Sequence, residues 1–405
     1  MTEKNKDIAH RQKRLGTETA FEVLARAREL EAKGKHIVHF EIGEPDFDTA
    51  SHIIEAAIKA LNDGYTHYCA SAGMMEVRES FATYLSETRK VKFDKSEIVI
   101  APGAKPIVTL SLFACVNEDE EVLYPNPGYP IYESVIRYIG AKPVPYPLKE
   151  ELDFRIDLDE LKSLVTPKTK LIILNSPQNP TGGVLTKEDL HGIASLALKH
   201  DLWVISDEVY CYILYDGRKH YSIVSINGMK DRTVVVDGHS KTYAMTGWRL
   251  GFGAMPVHLA TEVTKLCTNF HSCTSPFIQL AGKAAIEGSQ ERVKEMVDKF
   301  TGRRRLIIAE LLKIKGITCR VPKGAFYAFP NISSFGLSSL EMQNYLLEEC
   351  GVATLAGSSF GKYGEGYIRL SYANSPENIK LGISRIKEGL EKLNKNKPKN
   401  SKKNK

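Results

Sequence analysis

The chain has 405 residues, of which 42% are hydrophobic and 26% are charged, and its formal net charge is +6. A chain of this length exceeds what one hydrophobic core usually holds, which predicts two packed units, and its near-average composition excludes a disordered or fibrous protein. Much of the positive charge lies in residues 392–405 (KLNKNKPKNSKKNK), which we interpret as a solvated tail rather than a nucleic-acid-binding segment.

The cysteines and the N-terminus indicate the cellular compartment. Seven cysteines form no C-x-x-C pair, which favours reduced thiols and a cytoplasmic location over a disulfide framework. The histidines are scattered and no cysteine or carboxylate cluster completes a zinc site, so we expect no metal. The N-terminus lacks the apolar core of a signal peptide, and no apolar stretch reaches the thickness of a bilayer. We therefore expect neither a membrane nor a nucleic acid as a partner.

The spacing of apolar residues changes character near residue 97. Before it, helical spacing predicts helices over 19–33, 52–62 and 74–87, with an extended piece at 37–42. After it, short apolar runs alternate with helical stretches. The runs predict strands at 98–101, 122–124, 171–174, 203–205, 234–236 and 250–254, with helices at 106–116, 128–138 and 186–200 between them. Continuous apolar runs are typical of strands buried on both faces, so this alternation predicts a doubly wound, mostly parallel sheet.

The C-terminal part has a different pattern. A helical stretch at about 290–313 precedes strand patterns at 325–329 and 367–371 and helical patterns at 339–350 and 376–393. We predict an α/β protein with a large domain and a smaller α+β domain formed by both termini. The predicted boundaries are 1–48 for the N-terminal part of the small domain, 49–290 for the large domain, 291–393 for the C-terminal part of the small domain, and 394–405 for the tail.

Ligands of open α/β sheets bind beyond the carboxyl ends of the strands, and several such ends here carry distinctive residues. After the strand at 98–101, Gly103-Ala104-Lys105 opens a helix. Such a turn suits a phosphate group, but a glycine between a strand and a helix is also common. After the strand at 171–174, Asn179 lies in the segment NPTGG. That segment is either a plain turn or the source of an amide donor for an oxyanion.

Two further strand ends carry ionisable residues. Asp207 directly follows a buried strand, where it is either a helix N-cap or the partner of a protonated ring nitrogen. Lys241 follows the next strand and Ser240, and Arg249 comes eight residues later. Lys241 is either a surface charge or a lysine whose lowered pKa lets it form a Schiff base. Together the strand ends supply what a pyridoxal 5′-phosphate (PLP) site needs: a lysine, a carboxylate for the pyridinium, a phosphate-binding turn and an asparagine.

With these motifs the sequence resembles the class I/II PLP-dependent aminotransferases of the aspartate aminotransferase family, which have the PLP-dependent transferase fold type I. SKTYAMTGWRLG is close to the lysine signature of the family, and NPTGG, SDEVY, YIRLSYA and IGEPDFDT match further segments. The resemblance covers residues 15–393. It implies a transaminase that moves an amino group from an L-amino acid, aspartate-like or of broad range, to a 2-oxo acid such as 2-oxoglutarate, in amino-acid metabolism and biosynthesis.

The resemblance also implies roles for individual residues. The catalytic residues would be Lys241, which carries the cofactor and moves a proton, Asp207, which keeps the pyridine nitrogen protonated, and Tyr210. The α-carboxylate of the substrate would be bound by Gly43, Asn179 and Arg369. Further cofactor contacts would come from Ala104, Lys105, Ser240 and Arg249 at the phosphate, Asn179 and Tyr210 at the ring oxygen, Tyr129 stacked on the ring, and Tyr68 of the neighbouring subunit in a homodimer with shared active sites.

The sequence departs from the family pattern at two places. Gly238 stands where many relatives have a hydroxyl residue, and Lys105-Pro106 resembles only some subfamilies. The same scaffold also hosts other reactions, so a PLP-dependent lyase or replacement enzyme is the alternative to a transaminase. A ligand-sensing regulator is disfavoured, because Lys241 and Asp207 are present and no DNA-binding domain is appended.

Overall fold

A computed structural model describes residues 7–396. Its α-helices are α1 (Thr19–Ala32), α2 (Ser51–Asn62), α3 (Met75–Arg89), α4 (Ala104–Cys115), α5 (Ile131–Tyr138), α6 (Leu158–Ser163), α7 (Lys187–Lys199), α8 (His239–Thr242), α9 (Val257–His271), α10 (Pro276–Glu287), α11 (Glu291–Leu311), α12 (Ser339–Glu348) and α13 (Pro376–Asn396). Its β-strands are β1 (Val38–His39), β2 (Ile98–Ala101), β3 (Glu121–Asn126), β4 (Lys142–Lys149), β5 (Arg155–Ile156), β6 (Thr169–Asn175), β7 (Trp203–Asp207), β8 (Thr233–Gly238), β9 (Gly251–Ala254), β10 (Tyr327–Ala328), β11 (Val352–Ala353), β12 (Leu355–Ala356) and β13 (Ile368–Ser371). Residues 397–405 of the predicted tail lie outside the described residues.

A large sheet with the strand order β2-β9-β8-β7-β6-β3-β4-β5 forms the centre of the molecule. The strands β8, β7, β6, β3 and β4 are parallel to their neighbours within this group. In contrast, β9 is antiparallel to β2 and β8, and β5 is antiparallel to β4. Every residue of β2, β3, β8 and β9 is buried, as expected for strands covered on both faces. The predicted mostly parallel sheet is confirmed.

The strand β4 was absent from the prediction, because its sequence KPVPYPLK contains three prolines. Proline has no backbone N–H group and is usually confined to edge strands. Pro143, Pro145 and Pro147 alternate, so the missing N–H groups all lie on the same side of the strand. The parallel register with β3 continues from Glu121 to Asn126, whereas β5 pairs with β4 at only two positions. The helices α6, α8, α9 and α10 were also absent from the prediction.

Two small sheets are built from the terminal parts of the chain. The N-terminal strand β1 pairs in parallel with β11, and β13 lies between β10 and β12 in an antiparallel sheet. Phe40 packs in the same buried cluster as Leu370 and Ile383. The predicted second unit with contributions from both termini is confirmed, while its boundaries stay a prediction. In residues 7–396, no helix has the length and apolar character needed to cross a bilayer.

The register of the large sheet brings the predicted strand ends together. Asn175 at the end of β6 pairs with Asp207 at the end of β7. Gly251 at the start of β9 pairs with Gly238 at the end of β8 and with Ala101 at the end of β2. As a result, the N-termini of α4 and α8, the segment around Arg249 and the loop after β7 meet at one edge of the sheet.

Candidate active site

Lys241 lies on α8, the short helix that directly follows β8. Its Nζ donates a hydrogen bond to the backbone oxygen of Gly43 at 2.6 Å, and within residues 7–396 it forms no ion pair. Burial lowers the pKa of the Lys241 ammonium to about 8, and the positive charges of Arg369 and Arg249 act in the same direction, against Glu44. A large fraction of Lys241 is therefore an uncharged, nucleophilic amine under mildly alkaline conditions.

Asp207 is buried and has no cationic partner among the described residues. Its Oδ2 accepts a hydrogen bond from Tyr132 Oη at 2.5 Å, and its Oδ1 accepts one from the backbone N–H of Val209 at 3.3 Å. Burial raises the pKa of the Asp207 carboxyl to about 6, although these hydrogen bonds oppose the rise. Turns rather than a helix follow Asp207, which leaves the N-cap interpretation without a helix to cap.

Arg369 on β13 is a buried cation without an anionic partner in the described part of the chain. Its Nη1 donates to Asn179 Oδ1 at 3.1 Å, and its Nη2 donates to the backbone oxygen of Glu41. Its Nε has no hydrogen-bond partner among residues 7–396. The guanidinium contacts two aromatic rings, with Cζ 4.5 Å from the ring centroid of Tyr327 and 5.1 Å from that of Phe360. This arrangement leaves donor capacity for a carboxylate.

Asn179 and Tyr210 are also held in place by hydrogen bonds. The backbone N–H of Asn179 donates to Asn175 Oδ1 at 3.0 Å, and Asn175 Nδ2 donates to the backbone oxygen of Asp207 at 3.2 Å. This chain of bonds ties the loop after β6 to the end of β7. Tyr210 Oη is hydrogen-bonded to Tyr327 Oη at 2.7 Å. The structure therefore places Asn179 on Arg369 and Tyr210 on a tyrosine that the sequence-based prediction had not included.

The predicted phosphate-binding turn is a close contact of backbone segments. Gly103 has φ 103° and precedes α4, which begins at Ala104. A β-carbon at Gly103 would lie 2.4 Å from Arg249 Nη2, and one at Gly251 would lie 2.3 Å from the backbone nitrogen of Ala104. Both positions thus require glycine. The cradle presents the N-terminus of a twelve-residue helix beside an arginine, which fits a phosphate group. Ser240 lies on α8 at the same edge.

Lys105 and Tyr129 make a contact that the sequence did not predict. Tyr129 Oη donates to Glu18 Oε1 at 2.8 Å, and Lys105 Nζ donates to the same oxygen. Lys105 Nζ lies 5.7 Å from the centroid of the Tyr129 ring. The ammonium of Lys105 therefore contacts Glu18, next to α1, instead of the phosphate turn, so that only its backbone stays at the turn. The proximity of Glu18 has no signal in the sequence, because it is 87 residues away from Lys105.

Comparison with known proteins agrees with this geometry. The family model "Aminotransferase class I and II" matches residues 35–386. The chain belongs to the class I and II aminotransferase family. It is 44% identical to the aspartate aminotransferase of Pyrococcus abyssi over 365 residues, which cover 89% of this chain and 94% of that protein. It is 43% identical to aromatic-amino-acid aminotransferase 2 of Thermococcus litoralis, with 87% of this chain and 92% of that protein covered.

The fold also agrees with a solved structure. The aspartate aminotransferase of Thermus thermophilus with maleate superposes with a TM-score of 0.91 at 31% identity, covering 95% of this chain and 100% of that one. This aminotransferase is therefore a PLP-dependent enzyme of fold type I that transfers an amino group from an amino acid to a 2-oxo acid. The transaminase is confirmed over the lyase alternative.

Tyr68 is the predicted site residue that the chain does not bring to the others. Its side chain is 89% exposed. Three further residues contact the predicted site residues in the structure: Tyr132, Tyr327 and Glu18. Tyr132 comes three residues after Tyr129 in the segment GYPIY, and Tyr327 lies in the predicted strand at 325–329. A hydroxyl in these otherwise apolar segments was the available signal for both.

Proposed function

We propose that Lys241 carries the cofactor in this aminotransferase and that Asp207 binds its pyridine nitrogen. The main support is the environment of the Lys241 amine. It donates a hydrogen bond to a backbone oxygen and forms no ion pair among residues 7–396, and its pKa is lowered to about 8. When bound, PLP withdraws electrons from the Cα of an amino acid. Lys241 then moves the proton at Cα, and the Asp207 carboxylate, which lacks a cation of its own, holds the proton on the ring nitrogen.

The turn at Gly103 and Ala104, with Ser240 and Arg249, holds the phosphate in this proposal. The support is the glycine-dependent contact between β9 and the start of α4. The first N–H groups of a helix have no partner within the helix, so the start of α4 suits an anion. Tyr129 would stack on the ring of the cofactor, and Asn179 and Tyr210 would donate hydrogen bonds to its ring oxygen. Gly238 brings no hydroxyl to this turn, so the backbone, Ser240 and Arg249 would hold the phosphate.

Arg369 binds the α-carboxylate of the substrate in this proposal, together with Asn179 and the backbone of Gly43. A buried guanidinium is costly unless it is paired. Arg369 already contacts Asn179 and Glu41 but has an unpartnered Nε and no anion nearby in the described residues. A carboxylate supplies the missing charge with bidentate geometry.

The substrate that we propose is aspartate or a related dicarboxylic amino acid, within a broad range, with 2-oxoglutarate as acceptor. Lys105 supplies a cation beside the Tyr129 ring, and Glu18 balances it. An acidic substrate side chain would take the place of Glu18 at Lys105. A screen of amino donors against 2-oxoglutarate tests the range. Lys105→Met should lower kcat/KM for aspartate more than for phenylalanine; equal loss for both donors would contradict the acidic preference.

We further propose a homodimer. On α2, Ile53, Ala57 and Ala60 are buried, but Ile54, Ile58 and Leu61 form a second apolar stripe that stays exposed. Exposed Tyr65, Tyr68 and Met75 follow along the chain. Several exposed large apolar side chains in one part of the chain favour an interface with another protein chain. In a two-fold dimer, Tyr68 of each subunit would reach the phosphate in the site of its partner.

A cytoplasmic location and a role in amino-acid biosynthesis complete the proposal. All seven cysteines are free thiols, as expected for a reducing compartment. Amino transfer from a common donor is the step that converts a 2-oxo acid into the corresponding amino acid, which is why a biosynthetic role fits the reaction.

Lys241→Ala tests the cofactor assignment. We expect loss of turnover with retained thermal stability, because the side chain forms no ion pair among residues 7–396. Borohydride should fix the cofactor covalently to the wild-type protein and leave the variant unlabelled. Lys265→Ala, at an exposed position of α9, is the control and should be labelled like the wild type. Near-native turnover of Lys241→Ala would overturn the assignment.

Mixed refolding tests the shared site. Lys241→Ala and an impaired Tyr68 variant are unfolded and refolded together, so that half of the dimers are mixed. If Tyr68 acts on the partner's site, each mixed dimer has one intact site, and roughly a quarter of wild-type activity returns. If Tyr68 acts within its own chain, every site keeps a defect and no activity returns. A monomer in sedimentation would also contradict the proposal.

A further inference from the structure

Tyr327 on β10 contacts three residues that the proposed function assigns to cofactor and substrate. Its Oη is hydrogen-bonded to Tyr210 Oη at 2.7 Å, and its ring centroid lies 4.5 Å from Arg369 Cζ. A β-carbon at Gly43 would lie 2.3 Å from the Tyr327 hydroxyl oxygen. The side chain is only 1% exposed. Tyr327 is thus the point where the cofactor side and the carboxylate side of the site touch.

The hydrogen bond between the two tyrosines has a preferred direction. Each hydroxyl has one proton to donate and can also accept. Burial raises the pKa of both side chains, so both hydroxyls are protonated at neutral pH. In the proposed function Tyr210 donates its one proton to the ring oxygen, so in this bond it can only accept, and Tyr327 donates.

We propose that Tyr327 is a positioning residue that directs the hydroxyl proton of Tyr210 toward the ring oxygen of the cofactor. Once Tyr210 accepts from Tyr327, its own proton is free to be donated onward, and each bond in such a relay polarises the next. This inference rests on the role proposed for Tyr210 above. It adds a residue to the site and connects the arginine that binds the substrate carboxylate with the electronic state of the cofactor.

The hydroxyl and the ring of Tyr327 have separable effects. The hydroxyl acts on Tyr210, whereas the ring supports the Arg369 guanidinium by a cation–π contact. Tyr327→Phe removes only the oxygen and retains the contact with Arg369. We therefore expect little change in KM for any amino acid in this variant. Tyr327→Leu removes the ring as well, and we expect it to raise KM for all substrates, since the α-carboxylate is common to them.

Absorbance of the PLP-loaded enzyme as a function of pH measures the effect of the hydroxyl. A hydrogen bond donated to the ring oxygen stabilises its negative charge and favours loss of the neighbouring proton. Tyr327→Phe weakens this donation, so the apparent pKa of the bound cofactor should rise by about 0.5 to 1. In the background of Tyr210→Phe, the same substitution should cause no further rise, because Tyr327 acts through Tyr210.

The matched control is Tyr215→Phe. Tyr215 is also buried, and its hydroxyl is also paired with a tyrosine, Tyr372, at 3.1 Å. It belongs to the same core cluster but contacts none of the proposed site residues through its hydroxyl. This variant should lose a similar amount of thermal stability and keep the pKa of the cofactor unchanged.

The possible results distinguish a failure of the role of Tyr327 from a failure of the role proposed for Tyr210. An unchanged cofactor pKa in Tyr327→Phe overturns the inference, and so does an equal rise when Tyr210 is already phenylalanine. In both cases a rise in Tyr210→Phe alone leaves the proposed role of Tyr210 in place. If Tyr210→Phe itself leaves the cofactor pKa unchanged, the role of Tyr210 in the proposed function fails, and the inference fails with it.

Discussion

Asp207 and Glu208 are neighbours at the end of β7, and both are buried, yet their surroundings are opposite. Glu208 is 1% exposed and lies 2.8 Å from Arg89 Nε and 2.8 Å from His220 Nε2. Ser206 Oγ adds a further donor at 2.9 Å. Asp207, in contrast, has two neutral donors and no cation in the described residues.

The pKa values of the two carboxyls diverge for this reason. Charges on His220 and Arg89 and several hydrogen bonds outweigh burial at Glu208 and lower its pKa to about 2, whereas burial dominates at Asp207 and raises its pKa to about 6. A buried carboxylate that already has its cation stabilises the fold. One without a cation is costly in the apo-protein and is suited to binding a cation from a ligand.

Removing the charge of Asp207 should have the largest effect. Asp207→Asn should lower turnover at least ~100-fold, or about 2.7 kcal/mol, because the ring nitrogen loses the carboxylate that holds its proton. The folded pKa of Asp207 is raised, so its contribution to stability is lost as pH rises through about 6. The apo-form of the variant should therefore be more stable than wild type at pH 8 and similar to it below pH 4.

Thermal unfolding of the two apo-proteins across this pH range checks the comparison, together with steady-state kinetics. A variant that is less stable than wild type at pH 8 would show that Asp207 supports the fold and is not held for a ligand.

Removing the cation of Glu208 should have the next largest effect, and on stability rather than on chemistry. Arg89 also donates a hydrogen bond to Asp237 Oδ2 at 2.8 Å, so Arg89→Met removes a cation that two buried carboxylates share and leaves Glu208 with His220 alone. We expect a loss of about 3–5 kcal/mol of unfolding free energy. The folded pKa of Glu208 is depressed, so its stabilising contribution is present above about pH 4.5 and is lost as pH falls toward 2. This acid sensitivity should be weaker in the variant.

Urea unfolding at pH 7 and pH 3 measures the effect. Arg137→Met, which removes an exposed partner of Glu133, is the control and should cost well under about 1 kcal/mol. Equal stability losses in the two arginine variants would contradict the distinction between the buried and the exposed pair.

Tyr132→Phe should have the smallest effect. The Tyr132 hydroxyl donates to Asp207 at 2.5 Å and lowers the pKa of that carboxyl against burial. Without it the pKa of Asp207 should rise further, and turnover at pH 8 should fall about tenfold or less. The pH–rate profile of kcat shows whether its acidic limb moves to higher pH. An unmoved limb would mean that Tyr132 only fills space.

The sequence predicted the residues that lie directly at strand ends. Asp207 and Lys241 each follow a continuous apolar run, and a polar residue at such a place is conspicuous. Tyr132, Arg89 and Tyr327 were not predictable in this way. They are 75, 119 and 117 residues from the partners they contact, and the packing of α3, α5 and β10 decides those contacts.

The fold was predictable to a similar extent. The strands β2, β3, β6, β7, β8 and β9 have apolar runs that identify them. The strand β4 has no such run. Its three prolines are tolerated only because of how it pairs with β3, and the local sequence does not show that pairing. In both the fold and the site, what depends on the local pattern was predicted, and what depends on a partner far along the chain was not.

The prolines of β4 also have a consequence for the behaviour of the protein at high concentration. A strand at the rim of a sheet exposes N–H groups that can pair with a strand of another molecule and start aggregation. In β4 the residues whose N–H groups would face away from β3 include Pro143, Pro145 and Pro147, which have no N–H group. The short strand β5 pairs only with Leu148 and Lys149. Pairing of β4 with a strand of another molecule is therefore disfavoured. Pro145→Val would restore a donor there, and we expect this variant to aggregate more than the wild type on refolding.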